Sequence, residues 1–433
     1  MKKLIQNLKN GKTELLDTPV PMPKEGCVLI KSEFSLISLG TENMLVEFGK
    51  ANLIKKAKLQ PDKVKKAIEK IRNDGLIPTI KTIKNKLNSP LPLGYSNSGV
   101  VIALGKNVSE FQVGDRVVSN GPHSEYFNCP LNLCEKIPKN VPSDQASFTV
   151  ISSISLNGVR LLNPTLGEKF FVIGLGLIGL ISAQLLIANG CEVVVGDLDE
   201  KRLNIAKKSG IKTIKLNGNS KDKSVLANYN SSFDGVLICT NTKSNDPIDL
   251  STFLTRKNGR IVLIGTSNIE INRTDFYDKQ LKFQISKSYG PGRHDTTYED
   301  KGIDYPISEV RWTIKRNFKA ILNLLSCKKL RFDHLISHKF SLNEIARNYV
   351  KFITNSHEYL GIIISYNPKK FSRKIENNLK IKNKINYETT GFIGAGNYAQ
   401  RDLLPSFINA GAKISSICSI DGLNATFAGR KFN

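Results

Sequence analysis

A stretch of 22 residues without a charged side chain, Phe170 to Cys191, constrains this fold more than any other feature of the chain. It opens with FFVIGLGLIGL, in which Gly174, Gly176 and Gly179 follow an apolar segment of strand length. This GxGxxG spacing suits a tight turn, a close approach of the backbone to a pyrophosphate, and a helix packed closely on the preceding strand. Although the stretch is also long enough to cross a bilayer, its glycines and its polar second half predict a strand, a turn and a helix.

An acidic residue stands where a nucleotide-binding sheet needs one. EVVVGDLD reads as the next strand and ends at Asp197, 18 residues beyond Gly179. A carboxylate there can accept both hydroxyls of a ribose and repel a 2′-phosphate, so we predict NAD as the cofactor. Lys201 and Arg202 lie close by and could favour a 2′-phosphate, so NADP is kept as an alternative. A second alternative is a Rossmann-like sheet that binds a ligand other than a dinucleotide. The predicted cofactor residues of this region are Gly174, Leu175, Gly176, Leu177, Ile178, Gly179 and Asp197.

The surrounding sequence divides into two kinds of structure. From Phe170 to Gly265, strand-like segments (FFVIG, EVVVGD, TIKL, GVLICT, GRIVLIG) alternate with helical ones, which predicts a doubly wound parallel sheet. Upstream, short alternating apolar runs at 27–38, 94–104 and 115–119 predict an antiparallel, barrel-like β domain. The lysine-rich stretch between these runs predicts a helical insertion, because its apolar residues have helical spacing: Val64, Ala67, Ile68 and Ile71.

Charge and cysteine usage narrow the class of protein. The net charge of +25 would attract phosphate backbones or an anionic membrane. However, the lysines are scattered and no basic recognition helix occurs, so we expect neither nucleic acid nor a membrane as partner. The seven cysteines form no CxxC pair and no disulfide framework. With an N-terminus that lacks an apolar signal core, we expect a cytoplasmic protein.

The segments NPTLGEKFFVIGLGLIG and VVVGDLDEKRLNIAKKSG, together with the β domain before them, resemble the medium-chain dehydrogenase/reductase superfamily over residues 1 to 365. The resemblance implies a GroES-like catalytic domain built from both ends of that span, around an inserted cofactor domain. The cleft between the two would hold substrate and nicotinamide. It also implies that Asp197 and Arg202 flank the adenosine ribose of the cofactor, and that Thr240 and Gly265 end strands that face the cofactor.

This chain departs from the zinc-binding members of that superfamily. Where they carry a cysteine before Gly-Thr-Asp and a histidine in Gly-His-Glu, this sequence reads SLGTEN and LGYSNSG. Leu39 and Tyr95 therefore occupy ligand positions, and neither is a good zinc ligand. We predict no metal and a zinc-independent mechanism, in which side chains handle the alcohol proton. The candidate catalytic residues are Thr41, Tyr95 and Glu42. The alternative for Tyr95 is that it only fills the vacated cavity, and the alternative for Glu42 is a structural role.

A narrower resemblance rests on SYGPGRHDTTYEDKGIDYPISEVRWTIKRN, VEFGKANLIKKAKLQPDKVKKAIEKI and LPLGYSNSG. These segments are similar to a bidomain oxidoreductase group of bacterial polysaccharide biosynthesis. In that group an alcohol-dehydrogenase-like half precedes a half similar to the glucose-fructose oxidoreductase (Gfo/Idh/MocA) family. The first of these segments could recognise a charged sugar nucleotide or form a rigid packed loop. Its notable residues are Tyr289, Arg293, Asp304, Tyr305, Arg311 and Trp312.

A second glycine loop follows a lysine-rich stretch. TTGFIGAGNYAQ contains Gly394, Gly396 and Ala399 at dinucleotide-binding spacing and resembles the opening of the Gfo/Idh/MocA fold. The strand that should end in an acid ends at Ser419, so a cofactor preference is unreadable there. The 43 residues from Gly391 to Asn433 are too few for a complete sheet. We expect a truncated second Rossmann unit, in a fragment of a longer enzyme or as a remnant.

Together these patterns predict an α/β chain with a GroES-like β-barrel domain, a Rossmann doubly wound parallel sheet and a truncated second Rossmann unit. The predicted ranges are 1–157 for the catalytic domain with insertion 51–88, 158–288 for the Rossmann domain, 289–367 for the return to the catalytic domain, 368–386 for a linker and 387–433 for the second unit.

The expected function is hydride transfer between NAD(P) and an alcohol or carbonyl, on a small-molecule substrate such as a sugar or sugar nucleotide. A catalytically idle nucleotide-binding module and a quinone-reductase-like enzyme are the alternatives, and homo-oligomerisation is left open.

Overall fold

The computed structural model describes residues 1–8, 10–59, 90–355, 358–368, 371–375, 389–420 and 422–432, together with 61–62, 64–65, 69, 72, 79 and 83. Most of the predicted insertion 51–88, including Ala67, Ile68 and Ile71, therefore lies outside the described residues, as does 376–388 in and after the predicted linker. In the described part of the chain, no helix is both long and apolar enough to cross a membrane.

The N-terminal part forms two antiparallel sheets around an apolar interior. One sheet has the order β2-β1-β4, and the larger one contains β3, β5, β6, β7 and β8. The strands predicted at 27–38, 94–104 and 115–119 are confirmed as β3, β5 and β6. The elements are β1 Lys2–Asn7, β2 Thr13–Asp17, β3 Cys27–Ile37, α1 Leu39–Lys50, α2 Leu53–Leu59, β4 Pro90–Pro92, β5 Asn97–Leu104, β6 Arg116–Ser119, β7 Tyr126–Pro130, β8 Cys134–Lys136, α3 Ser143–Ala146 and α4 Thr149–Leu162.

The middle of the chain forms a six-stranded parallel sheet of order β11-β10-β9-β12-β13-β14. All five predicted strands are present. The sixth, β14, was not predicted, because KFQI is short and largely exposed at the edge of the sheet. The elements are β9 Lys169–Ile173, α5 Leu177–Ala188, β10 Glu192–Asp197, α6 Glu200–Lys208, β11 Lys212–Lys215, α7 Lys221–Val225, β12 Phe233–Ile238, α8 Asp246–Leu254, β13 Thr255–Leu263, α9 Arg273–Lys279 and β14 Lys282–Ile285.

The chain then returns to the first domain. Strand β16 pairs antiparallel with β3, with Ile362 opposite Ile37, so both ends of the span 1–365 build one seven-stranded sheet. The predicted helix at 315–325 and the predicted strand in YLGIIISY are confirmed as α11 and β16. The elements are α10 Thr296–Glu299, α11 Ile314–Ser326, β15 Ile336–Ser341, α12 Leu342–Thr354 and β16 Gly361–Ser365.

Helix α4 joins the two domains. Eleven of its fourteen residues are buried, because it packs on α5 and β13 of the parallel sheet and on α11 of the returning segment. The largest apolar cluster accordingly runs from Val28 and Phe148 through Leu162 to Val172 without interruption. The parallel sheet and the barrel thus share one core, which fixes the cleft between them.

The C-terminal segment forms a small separate sheet. Strands β17 and β18 pair in parallel, with a helical crossover between them and a helix after them. The elements are β17 Thr389–Ile393, a π-helical turn Ala399–Leu403, α13 Leu404–Asn409, β18 Lys413–Cys418 and α14 Leu423–Phe432. The strand, helix and strand predicted here are present, while a second Rossmann unit as a domain in its own right stays a prediction.

Candidate active site

A cleft of about 710 Å³ lies between the parallel sheet and the barrel. One wall is built from the carboxyl ends of β9, β10, β12 and β13, where the chain switches from one side of the sheet to the other. In open parallel sheets, ligands bind at such a switch point. The opposite wall contains the start of α1 and Tyr95, and Ile151 and Ile154 of α4 line the region between the walls.

The turn between β9 and α5 requires glycine at two positions. Gly174 has a φ of +92°, in the left-handed region. Its amide donates to the carbonyl of Gly196 at 2.8 Å, which ties β9 to β10. A Cβ on Gly179 would lie 1.8 Å from the carbonyl oxygen of Gly174, so α5 can approach the turn this closely only without a side chain there.

The start of α5 offers a site for an anion. Gly176 is the N-cap residue of α5 and has no side chain that could accept from the first amides of the helix. Gly176, Leu177 and Ile178 line the cleft. The first amides of a helix have no partner within it, and they carry the positive end of its dipole. Leu175 has a different place: it is fully buried and its amide donates to the Asp197 carboxylate. Leu175 therefore positions the acid instead of lining the cleft.

Asp197 ends β10 and lines the cleft, although only 8% of it is exposed. One carboxylate oxygen accepts from the Leu175 amide, and the other accepts from the Asp199 amide at 2.8 Å. A carboxylate has about four acceptor positions, so two remain for hydroxyls of a ligand. Arg202 lines the same region, with its Nε 3.7 Å from the Asp199 carboxylate.

Thr240 and Gly265 line the cleft just beyond the ends of β12 and β13. The hydroxyl of Thr240 is buried and has no hydrogen-bond partner in the described structure. A buried hydroxyl without a partner costs about 1–3 kcal/mol, so it is best explained by a ligand that completes the site. Together with the open helix start and the free acceptor positions of Asp197, this unsatisfied hydroxyl fits a dinucleotide.

Three hydroxyl groups meet on the barrel side of the cleft. The phenol of Tyr95 donates to Ser38 Oγ at 2.8 Å and lies 3.3 Å from Thr41 Oγ1. All three residues line the cleft. Burial raises the pKa of Tyr95 above its ordinary value near 10, while hydrogen bonds with Ser38 and Thr41 oppose that shift. The phenol is therefore neutral at physiological pH and can donate a proton. Ser38 was not among the predicted residues, because a serine before a helix usually indicates only a cap.

Glu42 does not line the cleft. It is fully buried one turn into α1, where it accepts from the Ser38 amide at 2.8 Å and contacts His123 Nε2 at 3.2 Å. The phenol of Tyr349 on α12 also donates to it, and burial together with the Glu42 charge raises the pKa of that phenol well above its ordinary value. The structure thus places Glu42 behind the catalytic candidates, where it holds the backbone at Ser38.

His123 extends this buried network. Its Nδ1 lies 2.7 Å from Ser35 Oγ, and that hydroxyl lies 2.6 Å from the phenol of Tyr366. The network therefore connects β3, α1, the loop before β7, α12 and the chain after β16. Neither His123 nor Tyr349 was singled out from the sequence, because their positions are distant along the chain and meet only in the folded domain.

The residues present do not fit a zinc ion. Leu39 and Tyr95, which the resemblance is expected to place at ligand positions, both line one wall of the cleft. The polar atoms around them are hydroxyl groups, whereas protein zinc sites use thiolate, imidazole and carboxylate ligands. Within the ranges that the structure describes, no three His, Cys, Asp or Glu side chains are grouped to hold a metal.

The segment 288–317 contains several ion pairs and hydrogen bonds between its own side chains. Arg293 pairs with Glu299 at 2.7 Å, Asp304 pairs with Arg316 at 2.6 Å, and the phenol of Tyr305 donates to Asp295. These contacts favour the packed-loop interpretation for the residues that form them, while Ile303 and Ile307 are exposed. Arg311 and Trp312 have different surroundings, described below.

The second glycine loop lies apart from the cleft. Gly394 has a φ of +97° and its amide donates to the carbonyl of Cys418 at 3.0 Å, as Gly174 does to Gly196. Ser419 consequently stands in the position that Asp197 occupies in the first loop. Gly394, Gly396 and Ala399 do not line the cleft, and their role as cofactor residues stays a prediction.

Two parts of the chain match known family models. Residues 69–147 match the model described as alcohol dehydrogenase GroES-like domain, and residues 178–299 match the one described as zinc-binding dehydrogenase. Among curated relatives, sorbitol dehydrogenase of Bos taurus is 27% identical over 215 residues. That match covers 41% of this chain and 60% of the relative's length. L-Galactonate-5-dehydrogenase of Escherichia coli K12 is 23% identical over 310 residues, which cover 64% of this chain and 84% of that protein.

Solved structures share the fold. Galactitol-1-phosphate dehydrogenase from Escherichia coli superposes with a TM-score of 0.63 at 17% identity, covering 84% of this chain and all of that one. An alcohol dehydrogenase from E. coli CFT073, complexed with the cofactor NADH, superposes with a TM-score of 0.63 at 19% identity. It covers 84% of this chain and 99% of that one. These likenesses support the GroES-like and Rossmann-like architecture over the span expected from the sequence.

Proposed function

We propose that this chain is an NAD-dependent oxidoreductase that interconverts an alcohol and a carbonyl without zinc. The main support for this proposal is that two groups of polar residues line one cleft. Asp197 and the unsatisfied Thr240 hydroxyl lie on one side, and the hydroxyl groups of Tyr95, Ser38 and Thr41 lie on the other. The first group suits a dinucleotide, and the second suits a substrate oxygen. Relatives named as polyol and sugar-acid dehydrogenases support the same reaction class.

Cofactor binding would rest on the wall built from the parallel sheet. The amides at Leu177 and Ile178 would bind the pyrophosphate, and Asp197 would accept from the ribose hydroxyls. When bound, the nicotinamide ring accepts or supplies the hydride. The Asp197 carboxylate disfavours a 2′-phosphate by charge repulsion, so NAD is preferred over NADP.

The proton would be moved by the hydroxyl groups on the barrel wall. Tyr95 donates its phenolic proton to the carbonyl oxygen during reduction and is then reprotonated from solvent through the neighbouring hydroxyl groups; during oxidation it passes its proton outward by the same route and takes up the proton of the alcohol. Ser38 and Thr41 lie within hydrogen-bonding distance of that phenol and can share the proton. Glu42 cannot reach a substrate in the cleft, so its role is to position Ser38.

The substrate would be a polyhydroxylated small molecule. A sugar or sugar nucleotide of surface-polysaccharide biosynthesis fits the resemblance of residues 288–317, and polyol dehydrogenases among the relatives fit a hydroxyl-rich substrate. The hydroxyl groups beside Tyr95 can hydrogen-bond neighbouring hydroxyls of such a molecule.

The test is NADH formation by the purified full chain, before and after dialysis against EDTA, with sorbitol, galactitol 1-phosphate, L-galactonate and nucleotide sugars. We expect turnover with at least one of these compounds, unchanged after EDTA. Tyr95→Phe should lower kcat by about 10²- to 10⁴-fold, whereas the exposed control Tyr277→Phe should leave it unchanged.

Loss of activity in EDTA with recovery on adding zinc would overturn the zinc-independent mechanism. Cofactor binding without hydride transfer to any compound would indicate an idle nucleotide-binding module. Oxidation of added NADH by a quinone, without NADH formation from any of these compounds, would indicate the quinone-reductase-like alternative.

A further inference from the structure

The only tryptophan of the chain is held between two arginines. The guanidinium carbon of Arg160 lies 3.3 Å from the centroid of the Trp312 ring, and that of Arg311 lies 3.8 Å from the same centroid. Two guanidinium groups at these distances would overlap on one face, so they lie on opposite faces. Cation–π attraction stabilises each stack, yet it also brings two like charges within about 7 Å of one another across the ring.

These two arginines lack the ion pairs that their neighbours have. In the same segment, Arg293 and Arg316 each contact a carboxylate directly. No carboxylate of the described residues forms a salt bridge with Arg160 or Arg311; the one hydrogen bond seen for the pair joins Arg160 Nε to the neutral amide of Asn317 at 3.1 Å. The pair is therefore a local excess of positive charge.

This arrangement disfavours the charged form of Arg160. It is half-buried at the C-terminal end of α4, and burial lowers the pKa of its guanidinium to about 10, with the Arg311 charge adding to the shift. An arginine is ordinarily protonated at every physiological pH. An anion bound between the two guanidinium groups would offset both the burial and the mutual repulsion.

We propose that Arg160, Trp312 and Arg311 form a binding site for a phosphate group. Guanidinium groups present paired N–H donors that match phosphate oxygens, with N–H···O distances of about 2.8 Å. A phosphate at the edge of the indole can accept from one guanidinium on each side, because its oxygens and two such hydrogen bonds together span about 7 Å. The indole separates the two cations and fixes their spacing.

The site is distinct from the cleft described above. Ile154 of α4 lines the cleft, and Arg160 follows it by six residues, or about 9 Å along the helix axis. Neither Arg160, Arg311 nor Trp312 lines the cleft. The phosphate could belong to inorganic phosphate or to the phosphoryl group of a larger molecule such as a nucleoside diphosphate sugar, and these sources can be separated experimentally.

Trp312 reports on its own site, because no other tryptophan contributes to the emission of the full chain. The experiment is titration of the protein with sodium phosphate, and separately with UDP-glucose, at constant ionic strength maintained with sodium chloride. We expect a saturable change in tryptophan emission with phosphate. If UDP-glucose binds more tightly than inorganic phosphate, the site binds a phosphoryl group of a larger ligand. If UDP-glucose binds more weakly than inorganic phosphate, the site binds free phosphate.

Arg311→Gln is the informative variant because Arg311 is exposed and its loss leaves the core intact. We expect the phosphate affinity to fall at least tenfold in Arg311→Gln and in Arg160→Gln. The control Arg331→Gln removes an exposed arginine elsewhere, and its phosphate affinity should stay within twofold of that of the parent. Cofactor affinity should be unchanged in Arg311→Gln, which keeps this test independent of the proposed function. An emission change that sodium chloride reproduces, or an affinity equal in Arg311→Gln and the parent, would overturn the proposal.

Discussion

Replacing Asp197 with asparagine should weaken NADH binding and shift the cofactor preference toward NADPH. The carboxylate accepts from two backbone amides, at Leu175 and Asp199, and it retains about two acceptor positions for ribose hydroxyls. Asparagine preserves the shape but turns one oxygen into a donor. Because each carboxylate oxygen accepts from one of these amides, either orientation of the asparagine places its NH₂ group against a backbone N–H, and in both orientations the negative charge is lost.

The magnitude follows from hydrogen bonds to a charged group. One such bond contributes about 1.5–3 kcal/mol, which corresponds to roughly a 10- to 150-fold rise in the NADH Kd. The NADPH Kd should fall or stay constant, because the repulsion of a 2′-phosphate is removed. We therefore expect the ratio of the two Kd values to change by at least about tenfold.

The assay is titration of nucleotide fluorescence with NADH and with NADPH, alongside thermal denaturation. Asp234→Asn is the matched control, since Asp234 also accepts from a backbone amide, at Lys169, but lies near the amino end of the central strand β12, away from the carboxyl ends that line the cleft. Both variants should be destabilised, and only Asp197→Asn should change the cofactor ratio. An unchanged ratio in a folded Asp197→Asn variant would refute the proposed contact between this carboxylate and the ribose.

Three further outcomes follow from the site. Glu42→Gln should reduce the free energy of unfolding by about 1.5–3 kcal/mol, measured in urea, because it weakens the buried hydrogen bonds of this carboxylate with His123 and Tyr349. A loss below about 0.5 kcal/mol would contradict that role. Gly179→Ala should raise the NADH Kd and lower the Tm, because the new Cβ would lie 1.8 Å from a backbone oxygen, and a parent-like Tm and Kd would show that the turn is not tightly packed. Burial raises the pKa of Tyr95, so the phenol stays protonated as the pH rises to 10. The rate of carbonyl reduction should therefore not fall through deprotonation of Tyr95 below that pH. A fall in kcat centred near neutral pH that is absent in Tyr95→Phe would contradict this prediction.

The nucleotide-binding sheet was predictable because its determinants are local. Gly174 needs a left-handed backbone, Gly179 needs space, and Asp197 ends the next strand, so short-range spacing alone indicates the arrangement. The edge strand β14 escaped prediction for the opposite reason. KFQI lies at the edge of the sheet with most of its residues exposed, so it lacks the apolar run that marks the central strands.

The group of hydroxyls on the barrel side of the cleft could be predicted only in part. Thr41 and Tyr95 were found from their motif positions, and the structure brings them within 3.3 Å of each other. Glu42 lies in the same motif, but which face of α1 is buried depends on the packing of α1 against α12, which contributes Tyr349. Such contacts join positions about 300 residues apart, and no local pattern in a single sequence records them.

Whether the cleft binds a dinucleotide can be measured by calorimetric titration of the purified full chain with NADH. We expect saturable binding at the cleft between Asp197 and Tyr95, with a weaker response to NADPH. A flat titration with both nucleotides, from protein shown to be folded by its thermal transition, would contradict it.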